Sequence, residues 1–122
     1  MNEALKARHM ATITDENAVE LYNRLCAACE SREGGMTDAD QMIVADAARM
    51  EQMKQALLAD IAERGVGKEM YIGKQKYYQE NKSVAQARAY MEQQRKHLSE
   101  LRLTPNSRKA APAGIDDEFA DF

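Results

Sequence analysis

The sequence predicts an all-α fold: a long antiparallel helical hairpin with an additional N-terminal helix. Three observations favour it. The chain of 122 residues is rich in Ala, Met, Leu, Gln, Glu, Lys and Arg, which are good helix formers. Aromatic residues make up only 6% of the chain, and Pro occurs only twice. Apolar side chains recur at three- and four-residue spacing in three separate segments. A chain of this length fits one domain.

The first helix is predicted to begin near Asp15. Residues 1–14 show no sustained apolar period, and we expect them to form a flexible arm. Thr14 and Asp15 are residue types that start helices. An apolar stripe follows and ends before the Gly34-Gly35 break. Its members are Val19, Tyr22, Leu25, Cys26 and Cys29.

The second and longest helix is predicted to begin at Thr37, which together with Asp40 forms a variant capping box. Gly65 supplies its stop, so the helix spans about 27 residues. Its apolar seam has heptad-like spacing, and three helices in one layer would leave much of that seam uncovered. We therefore predict that the chain is oligomeric and that the interface includes Ile43, Met50, Met53 and Leu57, with a closed monomeric bundle as the alternative.

Residues 65–82 change character and are predicted to form a short hairpin or an ordered loop, with a turn at Gly73. Ser83 then opens a capping box with Gln86, and a third helix covers roughly residues 83–102. Thr104-Pro105 resembles an N-cap followed by Pro at the first helical position, which opens a brief turn.

The formal net charge of -3 conceals an uneven distribution. Residues 1–63 carry a net charge of -6, residues 64–102 carry +5, and residues 103–122 carry -2. A basic stretch on an otherwise acidic chain is a common feature of nucleic-acid binding, although the same charges could simply solvate helix faces. Tyrosines lie among the lysines of residues 68–82, where they could contact DNA or close the end of the helical hairpin. The predicted DNA-binding residues are Lys68, Lys74, Lys76, Lys82, Arg88, Arg95, Lys96, Arg102, Arg108 and Lys109.

The end of the chain is predicted to be a linker and a disordered acidic tail, residues 110–122. Two phenylalanines among acids suit a short peptide that becomes ordered on a partner, although a merely solubilising tail has the same composition. The predicted partner-binding residues are Asp116, Asp117, Glu118, Phe119 and Phe122. The predicted organisation is therefore a flexible arm at 1–14, a helical oligomerisation and DNA-binding domain at 15–109, and the tail at 110–122.

Catalytic and metal-binding patterns do not stand out. Cys26 and Cys29 have no further ligands at metal-binding spacing and are predicted to pack in the core as free thiols, while His9 and His97 are expected at a surface or interface. The run from Gly65 to Lys68 lacks the spacing of a phosphate-binding loop. We therefore expect no enzyme activity and no cofactor. No stretch approaches the roughly 20 apolar residues of a membrane span, so a cytoplasmic location is expected.

The run from Leu98 to Arg108 carries a family resemblance. It contains Leu103-Thr104-Pro105-Asn106-Ser107-Arg108, which resembles the Leu-Thr-Pro-x-Ser-Arg signature of a large family of phage terminase small subunits. The start of the long helix at Met36-Thr37 also resembles the family, although Leu is usual in place of Met36. Asn81 stands where an Asn-Pro pair usually opens the last helix. Lys82 replaces that proline, so Ser83 is expected to take over capping.

The resemblance implies a non-enzymatic protein that assembles as a ring-like oligomer. It also implies recognition of the packaging start on viral double-stranded DNA and recruitment or regulation of the large terminase subunit, which carries the ATPase and the nuclease. The host cytoplasm would be its location. An alternative from another class is a helical protein–protein adaptor that never touches DNA.

Overall fold

The computed structural model describes residues 1–108, leaving the side chains of Asn106 and Arg108 undescribed. Within that part of the chain the fold is mostly helical, with one two-stranded antiparallel sheet, which confirms the predicted helical class. No helix of the described residues is long and apolar enough to cross a membrane. The elements in chain order are α1 (Glu3–Met10), α2 (Glu16–Ser31), α3 (Asp38–Arg64), β1 (Gly67–Ile72), β2 (Gln75–Glu80), α4 (Lys82–Glu100) and α5 (Pro105–Arg108).

Helix α1 corrects the prediction that residues 1–14 form a flexible arm. Asn2 caps this helix, and its backbone N–H and carbonyl bond the side-chain amide of Gln41 on α3 at 3.0 and 2.9 Å. After α1, the side-chain oxygen of Gln52 accepts the N–H groups of Thr14 and Asp15 at 2.8 and 2.9 Å. Polar side chains of α3 bind this segment and Ile13 packs in the hydrophobic core, but isolated apolar residues leave no helical period in the sequence.

Helices α2 and α3 form the core of the molecule. Asp15 caps α2, and the predicted capping box of Thr37 and Asp40 opens α3, which has the expected 27 residues. The buried α2 stripe packs against small side chains of α3, which let the two helices approach closely. The core residues of these two helices are Ala18, Tyr22, Leu25, Cys26 and Cys29 from α2 and Val44, Ala45, Ala47 and Ala48 from α3, and Ile13 and Leu101 complete the core.

Helix α4 packs antiparallel along α3, as the predicted helical hairpin requires. Near the start of α4 the Ser83 hydroxyl donates to Asp60 at 2.7 Å, whereas near its end the Gln94 amide donates to the Ala47 carbonyl at 3.2 Å. The predicted capping box at Ser83 is wrong. Asn81 caps the helix instead by accepting the Ser83 N–H, so α4 begins one residue earlier, at Lys82.

A β-hairpin joins α3 to α4, which confirms the predicted short hairpin. Strands β1 and β2 pair from Gly67 opposite Glu80 to Ile72 opposite Gln75. The two-residue turn has Gly73 at its first central position with φ of 62°, a conformation that glycine adopts without a steric penalty.

Candidate nucleic-acid interface

The basic residues predicted to bind DNA lie on the hairpin and on α4. Those whose side chains the structure describes are all exposed: Lys68, Lys74, Lys76, Lys82, Arg88, Arg95, Lys96 and Arg102. They follow one another from the base of the hairpin, around its turn and along α4. Arg108 lies in α5 with an undescribed side chain, and Lys109 lies outside the described residues.

Ion pairing differs between the two halves of the described chain. In residues 1–63, four of the six basic residues pair with acids within 3.2 Å: Arg24, Arg32, Arg49 and Lys54. Among the eight exposed basic residues, only Lys76 and Arg95 pair with a described carboxylate, at 2.9 and 3.8 Å. The other six have no described carboxylate within 4.0 Å, so in this part of the chain their charges are available to an outside anion.

The two faces of the hairpin carry different charges. Because side chains alternate along a strand, the pairing register places both glutamates, Glu69 and Glu80, on one face together with Lys76. The opposite face has Lys68 and no carboxylate within the strands, and its other side chains are Met70, Ile72, Gln75, Tyr77 and Gln79. This acid-free face, with Lys74 in the adjacent turn, is the more favourable one for a polyanion.

A cluster around Asp60 fixes the hairpin to the helices. Arg64 donates two hydrogen bonds to the Asp60 carboxylate at 2.6 and 2.7 Å, and the Ser83 hydroxyl donates a third. The Asn81 amide donates to the same carboxylate at 3.1 Å and to the Gly65 carbonyl at 2.9 Å. This Asp60 cluster ties the end of α3 and the start of α4 to the base of the hairpin.

The hydrogen bonds of the Asp60 cluster keep its ions charged. Those from Arg64 and Ser83 hold the pKa of the Asp60 carboxyl far below its usual range, and Asp60 in turn raises the pKa of Arg64. Sequence reasoning missed this cluster. The sequence marks Asn81 only as the position before a replaced proline, and Asp60 lies 21 residues away from it in the chain.

Arg102 has an unusual backbone conformation. It is the one described residue other than glycine with a positive φ, 58°, which L-residues adopt at a cost. It follows the end of α4, where the Leu103 N–H reaches back to the Leu98 carbonyl at 2.9 Å. Glycine is the usual residue at such a helix end, because it adopts a positive φ without strain. Arg102 therefore places a positive charge at a position where glycine would be more favourable for the backbone.

The predicted oligomer-interface residues lie on α3 with unequal exposure. Met53 is 47% exposed, whereas Ile43, Met50 and Leu57 are half-buried. The start of α2 lies at the level of Gln52, which accepts the N–H groups of Thr14 and Asp15. The predicted partner-binding residues of the tail lie outside the described residues.

Both histidines are buried within the described chain, whereas the sequence predicted them at a surface or an interface. The Nδ1 atom of His9 and the hydroxyl of Tyr22 are 2.8 Å apart, and Gln41 donates to the same hydroxyl. Burial, aided by the nearby Arg49, lowers the pKa of His9. Packing against neighbouring elements buries these rings, and a single-sequence spacing does not reveal such packing.

The cysteines are free and buried, as predicted, and burial raises the pKa of the Cys26 thiol to about 11. A thiol of that kind is unreactive near neutral pH. Within residues 1–108 no three His, Cys, Asp or Glu side chains come together in a way that could hold a metal ion.

Fold and surface together define a helical protein with a protruding β-hairpin and an exposed basic stretch. The family model described as "Phage terminase, small subunit" matches residues 18–118. The chain therefore belongs to the phage terminase small subunits, as the resemblance at its C-terminal end predicted. In this family the ATPase and nuclease activities lie in the large subunit, so the chain is not an enzyme. Comparisons with curated proteins and with solved structures gave no match.

Proposed function

We propose that this small terminase subunit binds viral double-stranded DNA at the packaging start and recruits or regulates the large subunit in the host cytoplasm. It acts as a homo-oligomer, and we propose that this oligomer is a ring. The observation that supports DNA binding best is the row of exposed basic side chains on the hairpin and α4, most of them without a described acidic neighbour. Family membership supports the packaging role.

The basic side chains suit contact with phosphates rather than with one compact anion. Arg88 and Arg95 are seven residues apart, which keeps them on one side of α4, and Arg102 follows the C-terminal end of that helix. Lys68 and Lys74 extend the charge onto the hairpin. An extended row of cations binds along a polyanion by releasing its counterions, so affinity falls steeply as salt rises. Repeating the row in an oligomer would raise avidity.

Oligomerisation is supported by apolar surface on the helices. Three methionines of α3 and α4 are exposed among the described residues: Met42 by 58%, Met53 by 47% and Met91 by 41%. Flexible methionine side chains adapt well to a protein neighbour. A second copy that covers the exposed methionines of α3 would cover the half-buried Met50 and Leu57 of the same helix as well.

Charge reversal of Lys68, Lys74 and Lys82 together tests the DNA surface. If each lysine contacts one phosphate, the slope of log affinity against log salt should flatten by about 3. The matched control reverses Lys6, Arg8 and Arg24 on α1 and α2, which changes the net charge equally. Both variants are titrated with duplex DNA by fluorescence anisotropy across a salt series. Equal effects of the two variants, or none, would place the DNA elsewhere.

The acidic tail is proposed as the contact with the large subunit. Residues 115–122 lie outside the described residues, and the proposal rests on their composition: phenylalanines among acids. Deleting these residues should abolish binding to the large subunit in a pull-down while leaving the oligomer mass unchanged. Unchanged binding would contradict the proposal.

A protein–protein adaptor that never touches DNA is the second candidate. The observation that favours it is the exposed apolar surface of the hairpin, where Tyr71 and Ile72 are each about two-thirds exposed, at 66% and 69%. An adaptor predicts no salt-dependent binding of duplex DNA. The titration of the unaltered protein therefore separates the two functions.

A further inference from the structure

A cleft opens where helices α2, α3 and α4 meet. It encloses about 140 Å³, and its walls are mostly apolar. Leu21 and Leu98 are half-buried, so the cleft can be reached from solvent. This volume is close to the roughly 150 Å³ of an apolar cavity that binds benzene, so the cleft fits one phenyl ring. The apolar side chains that line it are Leu21 and Leu25 of α2, Ala47 of α3 and Leu98 of α4.

The charges at the edge of the cleft favour an acidic occupant. Glu51 forms an ion pair with Lys54 at 2.6 Å and accepts a hydrogen bond from the Gln94 amide at 3.3 Å, so its charge is already paired. An exposed positive charge lies beside the cleft on α4. Arg95 is three residues before Leu98, a spacing that makes the two side chains neighbours on the helix surface. The Arg95 side chain is 80% exposed.

The chain itself carries a segment with the matching chemistry. It has two phenylalanines and no tryptophan, and both phenylalanines belong to the acidic tail. Phe119 directly follows three consecutive acids, residues 116–118. A phenyl ring matches the volume and the apolar walls of the cleft, and the acids match the positive charge beside it. The phenylalanines of the tail are the only ones in the sequence, so no other segment joins a phenyl ring to a run of acids.

The tail begins close enough to the cleft to reach it. Arg108 is only ten residues after Leu98, and α5 packs against α4. Within α4, Leu98 lies about 5 Å along the helix axis from Leu101. The eleven residues from Arg108 to Phe119 can extend about 36–40 Å, which is longer than the return path to Leu98.

We propose that Phe119 docks in this cleft of its own chain and that residues 116–118 then compete with DNA for Arg95 and Arg102. These two arginines lie three residues before and four residues after Leu98, on the basic stretch of the chain. The competition rests on the DNA surface proposed above, whereas the docking itself requires neither DNA nor an oligomer. DNA that binds the arginines would release the tail, which then becomes available to the large subunit.

Fluorine NMR of the full-length protein tests the docking. Because the chain has only two phenylalanines, incorporation of 4-fluorophenylalanine gives two signals, which the variants Phe119→Leu and Phe122→Leu assign. The reference is a free peptide of residues 109–122 with the same label. Docking predicts that the Phe119 signal is shifted and broadened relative to the peptide. A Phe119 signal at the position and width of the free peptide would overturn the proposal.

The variant Ala47→Leu tests whether the cleft is the docking site. Leucine at this position fills the cleft, and the matched control, Ala56→Leu, adds the same side chain at an exposed position of α3. The Phe119 signal should become peptide-like in the first variant and stay shifted in the second. Leu21→Gln removes an apolar wall without adding volume to the core, and it should act as Ala47→Leu does. A signal that stays shifted in either folded cleft variant, as judged by circular dichroism, would overturn the cleft as the site.

Mixed oligomers test whether the tail docks on its own chain. Labelled Ala47→Leu chains are unfolded and refolded together with unlabelled chains that keep the cleft. Docking within one chain predicts a peptide-like Phe119 signal, because no labelled chain has a free cleft of its own. A shifted signal in the mixture would show docking on a neighbouring copy and would overturn the proposal.

Titration with duplex DNA tests the competition. If the tail is docked in about nine of ten molecules, its release should tighten DNA binding about tenfold at low salt. Phe119→Ala should show this gain without any change of charge. The control Ile115→Ala removes an apolar side chain of the tail outside the acidic run and should bind DNA as the unaltered protein does. Saturating DNA should also return the Phe119 signal of the unaltered protein to the peptide position.

Equal DNA affinities of Phe119→Ala and Ile115→Ala, with a shifted Phe119 signal in the unaltered protein, would overturn the competition. If the unaltered protein does not bind DNA, the proposed function fails and the competition fails with it. The Phe119 signal without DNA decides the docking in either case.

Discussion

Replacing Asn81 by alanine should loosen the junction between the helices and the hairpin. The side chain is 8% exposed, caps α4 through the Ser83 N–H at 3.0 Å and donates to the Gly65 carbonyl at 2.9 Å. Loss of an N-cap costs about 1 kcal/mol, and loss of a neutral buried hydrogen bond costs about 1 kcal/mol more. The free energy of unfolding should therefore fall by about 2 kcal/mol.

Two further variants isolate the reason for this loss. Asn81→Asp keeps the capping oxygen but replaces the donating amide by a carboxylate 3.1 Å from that of Asp60, so its destabilisation should grow as pH rises through the titration of the new carboxyl. Asn23→Ala, at an exposed position of α2, serves as the matched control and should not destabilise the protein.

Urea unfolding followed by circular dichroism, at one protein concentration for all variants, measures the three free energies. A loss below about 0.5 kcal/mol for Asn81→Ala, the usual size of surface effects, would refute the account of the junction.

Two other predictions concern buried groups. Because burial lowers the pKa of His9 below its ordinary value of 6.5, the unfolded chain binds the proton more readily, and stability should fall as pH drops from above 6.5 toward 5. His9→Gln should remove that part of the decline in urea unfolding at each pH; an identical decline would contradict it. At Gly67, an added Cβ would lie 2.3 Å from the Tyr78 hydroxyl and 2.8 Å from the Gln79 carbonyl oxygen. Gly67→Ala should therefore destabilise the hairpin by about 1–3 kcal/mol, measured by amide hydrogen exchange of residues 68–79, and unchanged exchange would contradict it.

Much of the fold could be predicted because its signals are local. The Thr37 capping box and the Gly65 stop each depend on residues close together in the sequence, and they predict the two ends of α3 correctly. The turn at Gly73 likewise indicated a hairpin. These features depend on backbone preferences within a few residues, which a single sequence carries.

The errors arose where distant residues decide the structure. Helix α1 is held by Gln41 and Gln52, about 40 positions along the chain from the groups that they bind. Asn81 caps α4 in place of the predicted Ser83, because the serine hydroxyl donates to Asp60 instead. For the interface, composition predicted which residues are basic, and the structure adds that they are exposed and mostly without described ion pairs.

The mass of the full-length protein by light scattering coupled to size exclusion, at low and at high salt, tests whether this chain assembles by itself as a small terminase. A single species of several subunits at both salt concentrations is the predicted result, because contacts between the apolar sides of α3 and α4 do not depend on ionic screening. A monomer at every protein concentration and both salt concentrations would contradict the account, and it would leave the basic surface to act as single copies on DNA.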